Sequence, residues 1–267
     1  MTVYAAPLRD MRFVIHELLG LDEMLKWPRF CDLDAEQVDF VIEQAGSFGE
    51  DIVAPLNQSG DREGAHWQDG KVATPAGFGA AYRSFVKAGW QGLTVDPVFG
   101  GQGLPKLVGA AVQEIWKASS HAWSICQALT HGGIEALLNN GSPEQIERWL
   151  PHLIDGSWSA TMNLTEPQAG SDLSRIRTRA VRQADGSYLI SGQKVFISFG
   201  EHDMSDNIVH IVLARTSDAP AGTAGISLFI VPKYLGGDGK RGARNDLKCI
   251  GIENKLGLHG SPTCAMS

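Results

Sequence analysis

The chain has 267 residues, 43% of them hydrophobic and 20% charged, with a formal net charge of -7. That size and balance belong to a folded globular protein with a proper core, and the acidic balance excludes a nucleic-acid grip, which needs a basic surface. Cys31, Cys126, Cys249 and Cys264 show no C-x-x-C spacing, which excludes a zinc ribbon or disulfide framework and fits a reducing cytoplasm. There is no signal core and no apolar run of membrane-spanning length.

Residues 1–33 read as an N-terminal extension. Met11, Val14, Ile15, Leu18 and Leu19 recur at helical spacing and Gly20 ends the run, so a packing arm is expected. A helical domain follows over 34–158. Asp34 with Gln37 three residues on is a capping pair, and Val38, Val41, Ile42, Ala45, Phe48 and Ile52 make one apolar face. Pro55 is expected to stop that helix, and the polar stretch Asn57–Ala73 to be a loop. Pro75 opens a helix carrying Phe78, Tyr82, Phe85 and Val86, which ends near Gly89.

Gly101-Gln102-Gly103 lacks the third glycine of a dinucleotide fingerprint, since position 106 is Lys, and is not a Rossmann turn. Helices are expected over 107–119, 123–131 and 133–139. A further one starts at Ser142-Pro143, with Gln145 completing its cap and Trp149, Leu150, Leu153 and Ile154 on its core face.

After Trp158 the pattern turns to short β runs: 160–164, 177–183, 188–191, 194–198, 208–214 and 226–231, separated by turn signals. The expected class is α+β, a helical domain followed by an antiparallel, barrel-like β domain over 159–267. The last stretch enters another strand and stops, so the chain reads as the front part of a longer protein, its sheet left with an unpaired edge.

Two hydroxyl-bearing turns carry the chemistry. Met162–Asp172 holds Thr165 before a Glu-Pro break and then Gly170-Ser171-Asp172; Tyr188–Gly200 ends in Val195-Phe196-Ile197-Ser198. Such turns present backbone N–H groups and hydroxyls to a flat polar ring or a phosphate, although two ordinary β-turns read equally well from turn chemistry alone. His202, Asp203, Asp206 and His210 lack metal-ligand spacing and read as a polar loop. His121 and His131 read as structural, and His152 as packing at a domain junction. The glycine-rich run 236–248 carries four basic residues, and a solvated hairpin tip is preferred there over a phosphate contact. Gly156-Ser-Trp-Ser is no nucleophile elbow.

Thr165-Glu-Pro-Gln-Ala-Gly-Ser-Asp, Ile190-Ser-Gly-Gln-Lys-Val-Phe-Ile-Ser-Phe-Gly and Leu256-Gly-Leu-His-Gly-Ser-Pro-Thr-Cys, in that order, resemble the acyl-CoA dehydrogenase flavoproteins. The opening Tyr4–Ile15 resembles the extension of a larger-subunit branch that includes the 3-(methylthio)propanoyl-CoA dehydrogenases and some broad-range bacterial enzymes. The resemblance implies a helical domain, a β domain and a C-terminal helical bundle that this chain lacks. It implies FAD held by Met162, Leu164, Thr165, Gly170, Ser171, Phe196, Ile197 and Ser198, with Ser171 also near the entering thioester. It implies an acyl-CoA substrate, electron-transfer flavoprotein as acceptor, and a homodimer or tetramer at full length. The proton-abstracting Glu is expected beyond residue 267, and Glu166 is assigned a structural position. Met162, Phe196, Ser198 and Phe199 depart from the family's commoner aromatic, Trp, Thr and Asn. A flavin-binding or partner-docking relative without turnover is the alternative reading.

Overall fold

The computed structural model describes residues 4–236 and 241–267. Helix α1 (Leu8–Phe13) runs into a π turn, Val14–Leu18, and left-handed Gly20 separates it from α2 (Leu21–Leu25). Met11, Ile15 and Leu21 are buried in the helical core, and the Tyr4 hydroxyl donates to Ile115 O at 3.2 Å, so the arm packs as expected. Val14, Leu18 and Leu19 are exposed instead of buried. The wider π turn shifts the phase of every residue after Phe13, which 3.6-residue spacing cannot anticipate.

Helix α3 (Ala35–Phe48) starts with the expected capping box between Asp34 and Gln37. A second π turn, Gly49–Val53, follows, in which Ala54 N–H reaches back to Gly49 O at 2.8 Å. Pro55 then begins α4 (Pro55–Glu63) rather than ending anything. At the first position of a helix its missing N–H costs nothing. Gly49 is needed there because a Cβ would sit 2.7 Å from both Ile115 Cγ2 and Ser119 Oγ. The expected loop after Pro55 is therefore α4 and a small hairpin, β1 (His66–Gln68) with β2 (Lys71–Ala73).

The helical core closes with α5 (Phe78–Lys87), α6 (Lys106–Ser119), α7 (His121–Asn140) and α8 (Pro143–Ile154). Its centre is aromatic: Phe85 meets Trp116 edge-on at 5.1 Å and Trp123 at 5.8 Å, and the Trp123 indole donates to Phe78 O. Two helices were expected where α7 runs unbroken for 20 residues. Gly132 and Gly133 do not break it. Gly133 is required by the sheet beneath, since a Cβ there would lie 2.5 Å from the Ala160 Cβ.

The strands are β3 (Trp158–Asn163), β4 (Arg179–Arg182), β5 (Tyr188–Ser191), β6 (Lys194–Ser198), β7 (Asn207–Thr216), β8 (Ser227–Pro232), β9 (Cys249–Ile252) and β10 (Thr263–Met266). The α+β class stands, but the larger sheet is mixed. β7 pairs β3 and β4 in parallel, β8 antiparallel, and β5 adds to β4. Residues 207–214 of β7 are buried without a break, as in a strand covered on both faces. The second sheet has the order β6-β10-β9, so β10 is central and the expected unpaired edge at the last strand is not there. Short-range alternation marks a strand but does not specify its neighbours.

Candidate functional site

Strand β3 delivers Met162 to the surface, with a relative exposure of 38%, and leaves Leu164 and Thr165 half-buried beyond it. The chain then folds into a tight turn in which Glu166 and Ala169 exchange both backbone hydrogen bonds, at 2.9 and 3.0 Å. Glu166 turns inward. One carboxylate oxygen accepts from Thr178 N (3.0 Å), Thr178 Oγ1 (2.6 Å) and Lys194 Nζ (2.9 Å); the other accepts from Arg177 N (2.8 Å) and Gln168 Nε2 (2.6 Å). Burial pushes this carboxyl up, but the donors from Thr178, Arg177 and Lys194 outweigh it and hold the group down at about 2. Glu166 is a clamp, as its structural assignment required. Past it, Gly170 and Ser171 stand exposed on an open turn.

The second stretch is bent by a β-bulge. Ile197 faces Cys264 and Lys194 faces Met266, so Val195 and Phe196 together oppose Ala265. Phe196 takes φ +61° and projects outward, 61% exposed. Ile197 points the other way, buried beside Cys264 and Met266, so only its backbone is on the site's side. Phe199, at φ +52°, is buried edge-on against the His202 ring. Left-handed backbone at non-glycine residues is strain, and it concentrates at this bend.

The fold brings the two stretches together. Thr161 Oγ1 donates to Ser198 O at 2.7 Å, Val195 N–H to Thr165 O at 2.9 Å, and Lys194 Nζ to Leu164 O at 3.0 Å. Met162, Leu164, Thr165, Phe196 and Ser198 thus share one junction, with Gly170 and Ser171 on the turn it clamps. Among the described residues, the hydroxyls of Thr165, Ser171 and Ser198 make no hydrogen bond within the chain, while Lys194, Glu166 and Thr178 are fully engaged. Free hydroxyls beside two outward apolar side chains fit a flat heteroaromatic ring with polar edges. Sequence reasoning passed over Thr161, Thr178 and Lys194; their partners lie 37, 12 and 28 residues away.

Behind the junction, His202 and His210 are not in an exposed polar loop, as expected, but fully buried. His202 Nε2 meets Ser159 Oγ at 2.9 Å and its Nδ1 accepts from Met204 N–H; His210 Nδ1 meets Asn163 Nδ2 at 3.1 Å. Burial first, and Lys233 next, hold both well below the usual imidazole value, at about 3. No group among the described residues could hold a metal ion. Lys233 pairs with buried Glu201, which also meets Arg244 at 3.4 Å. His152 stacks on Trp158 at 4.2 Å where α8 meets β3, as expected. His121 and His131 lie on one helix, α7; His131 lines a cavity with Trp90, Gln91, Trp116 and Gln127. Residues 237–240 of the basic run lie outside the described residues.

Residues 36–157 match the family model described as acyl-CoA dehydrogenase, N-terminal domain, and residues 161–267 the one described as acyl-CoA dehydrogenase, middle domain. The chain is similar to the 3-methylmercaptopropionyl-CoA dehydrogenase of Ruegeria pomeroyi, 48% identical over 98% of this chain and 45% of the relative. It is similar in structure to butyryl-CoA dehydrogenase from Megasphaera elsdenii, with TM-score 0.69 and 25% identity over 88% of this chain and 56% of that one. An acyl-CoA dehydrogenase complexed with FAD from Bacillus anthracis shares the fold, with TM-score 0.68 and 23% identity over 88% and 35%. The chain spans less than half the length of that Ruegeria relative.

Proposed function

We propose, because this chain belongs to the acyl-CoA dehydrogenase family, that the protein it forms part of oxidises an acyl-CoA thioester between its α and β carbons, using FAD. The observation that carries this reading is the junction where the Thr165 turn and the Phe196 bulge meet with their hydroxyls unengaged. Met162, Leu164, Thr165, Gly170, Ser171, Phe196, Ser198 and the backbone of Ile197 are the residues that would hold FAD. Bound there, it would accept the hydride leaving the β carbon. Thr165 and Ser198 offer neutral donors to developing negative charge without adding a titrating group. Phe196 and Met162 would shield the ring's edge from water, and Ser171 would meet the thioester arm.

Glu166 does not take the α-proton. With five donors on its two oxygens and a carboxyl held at about 2, it has no free lone pair aimed outward and too little basicity. The helical domain at 34–158 and the β domain at 159–267 would then be two of the family's three parts, with electron-transfer flavoprotein as the acceptor.

The test is anaerobic titration of the purified full-length protein. A yellow protein whose flavin absorption bleaches on adding an acyl-CoA supports the reading. A protein that holds flavin but is not reduced by acyl-CoAs of any chain length sinks it and leaves the binding relative.

A further inference from the structure

Four arginines crowd one short run, Leu173–Ala184, which contains no Asp or Glu, in a chain whose net charge is -7. Their placement is regular. Ile176, Thr178 and Ala180 are buried at 3%, 2% and 1%, while Arg175, Arg177 and Arg179 between them are exposed. Arg175 closes a 3-10 turn (Leu173–Arg175), Arg177 follows in irregular backbone and Arg179 opens β4, so the three exposed guanidiniums sit in sequence along one short surface segment. Among the described residues none of the three forms a salt bridge, although Asp172 lies close enough to feel Arg175.

The strip is also held rigidly at the end next to the candidate site. Glu166 takes Arg177 N–H, Gln168 Nε2 donates to Arg175 O at 3.2 Å, and Arg215 donates to Ser174 O (2.8 Å) and Ile176 O (3.0 Å) from behind. The same Glu166 and Gln168 form the turn that presents Ser171. Thus the strip and the Ser171 hydroxyl are two parts of one fixed surface. Among the described residues, two arginines of the run 236–248 are already engaged. Arg244 is engaged by Glu201, and Arg241 lies 4.2 Å over the Tyr234 ring with a hydrogen bond to its hydroxyl.

We propose that Arg175, Arg177 and Arg179 seat the phosphates of the coenzyme A nucleotide. This rests on the acyl-CoA reading above and extends it to the end of the substrate farthest from the chemistry. Guanidiniums without carboxylate partners bind phosphate through forked, charge-assisted hydrogen bonds. The backbone is already ordered, so binding has only the side chains left to fix. Running from Ser171 outward, the strip offers a path of positive charge for a ligand whose thioester end is held at the junction.

The probe is adenosine 3′,5′-bisphosphate, which carries CoA phosphate groups but no reacting atom, titrated calorimetrically into this chain. Wild type should bind, and binding should weaken with salt as the screening length falls from about 10 Å at 0.1 M toward about 3 Å at 1 M. The variant R175Q/R177Q/R179Q should lose at least about tenfold in affinity, as expected for removed charge-assisted contacts. The control R62Q/R83Q, exposed arginines on α4 and α5, should bind as wild type. Thermal melts check that both variants remain folded, as exposed substitutions should. The proposal is overturned if wild type does not bind, if the triple variant binds as tightly as wild type, if the control loses as much, or if inorganic phosphate or a polynucleotide binds the strip more tightly than the bisphosphate. No flavin or turnover enters this measurement. A protein that binds the nucleotide here but oxidises no acyl-CoA would keep this inference and remove the dehydrogenase reading; the reverse result would remove only this one.

Discussion

Replacing Glu166 by Gln tests the clamp that joins the two halves of the candidate site. Each oxygen of Glu166 faces donors only: Thr178 N, Thr178 Oγ1 and Lys194 Nζ on one, Arg177 N and Gln168 Nε2 on the other. A Gln keeps the size, but its NH₂ must confront at least two donors whichever way the amide lies. It also leaves Lys194, 4% exposed, without a counter-charge.

Two routes give the magnitude. Breaking one side of a buried ion pair costs about 3–5 kcal/mol. A carboxyl moved from the ordinary 4.5 to about 2 contributes about 3 kcal/mol by linkage at 1.36 kcal/mol per pH unit. The pair is asymmetric: burial pulls Lys194 below its ordinary value and Glu166 restores it only partly. Lysine has two acceptors where the carboxylate has five donors, so the carboxylate is the end whose charge the fold secures. Because its folded value lies below its unfolded one, its stabilisation is complete above about pH 4.5 and is lost as pH falls toward 2. Urea unfolding at pH 7 should show E166Q destabilised by about 3–4 kcal/mol, with the gap to wild type narrowing at pH 3. The double variant E166Q/K194M should cost less than the sum of its singles. A loss below about 1 kcal/mol at pH 7, or a gap unchanged at pH 3, would refute the clamp.

The buried histidines make a second pH prediction. His202 and His210 sit at about 3 in the fold against 6.5 unfolded, so the unfolded chain takes up more protons between those values and stability falls as pH drops below 6.5. From pH 7 to pH 5 the two together should cost about 4 kcal/mol, and His210→Gln should roughly halve that slope; a flat profile over this range contradicts their neutral burial. Gly133→Ala should cost about 1–3 kcal/mol in a denaturant melt, because its methyl would push α7 off β3; a neutral result means the contact yields freely. Phe196→Gly should relieve the φ +61° strain and raise stability by about 1 kcal/mol while weakening flavin retention on gel filtration. A less stable variant would show that the exposed ring packs against something the fold requires.

Local chemistry alone determined much of this protein. Both capping boxes, at Asp34 and Ser142, stand where their side chains specify, because a cap needs only a neighbour three residues away. β5 and β6 have the expected ends for the same reason: turn residues flank an alternating run. The two turns that meet at the junction could be singled out by residue type and order, though not their contact.

The partners could not be found that way. A π turn that shifts helical phase, and a proline that begins a helix instead of ending one, depend on what packs alongside; Gly49, where the second π turn starts, lies close against Ile115 and Ser119. Whether β7 lies parallel to β3, and whether β10 is an edge or a centre, depends on pairings across dozens of residues. The role of Glu166 belongs to the same kind. Its sequence neighbours place it in a turn, but only folding brings Thr178 and Lys194 to its oxygens, and those distant donors overcome burial and lock the site's two turns together.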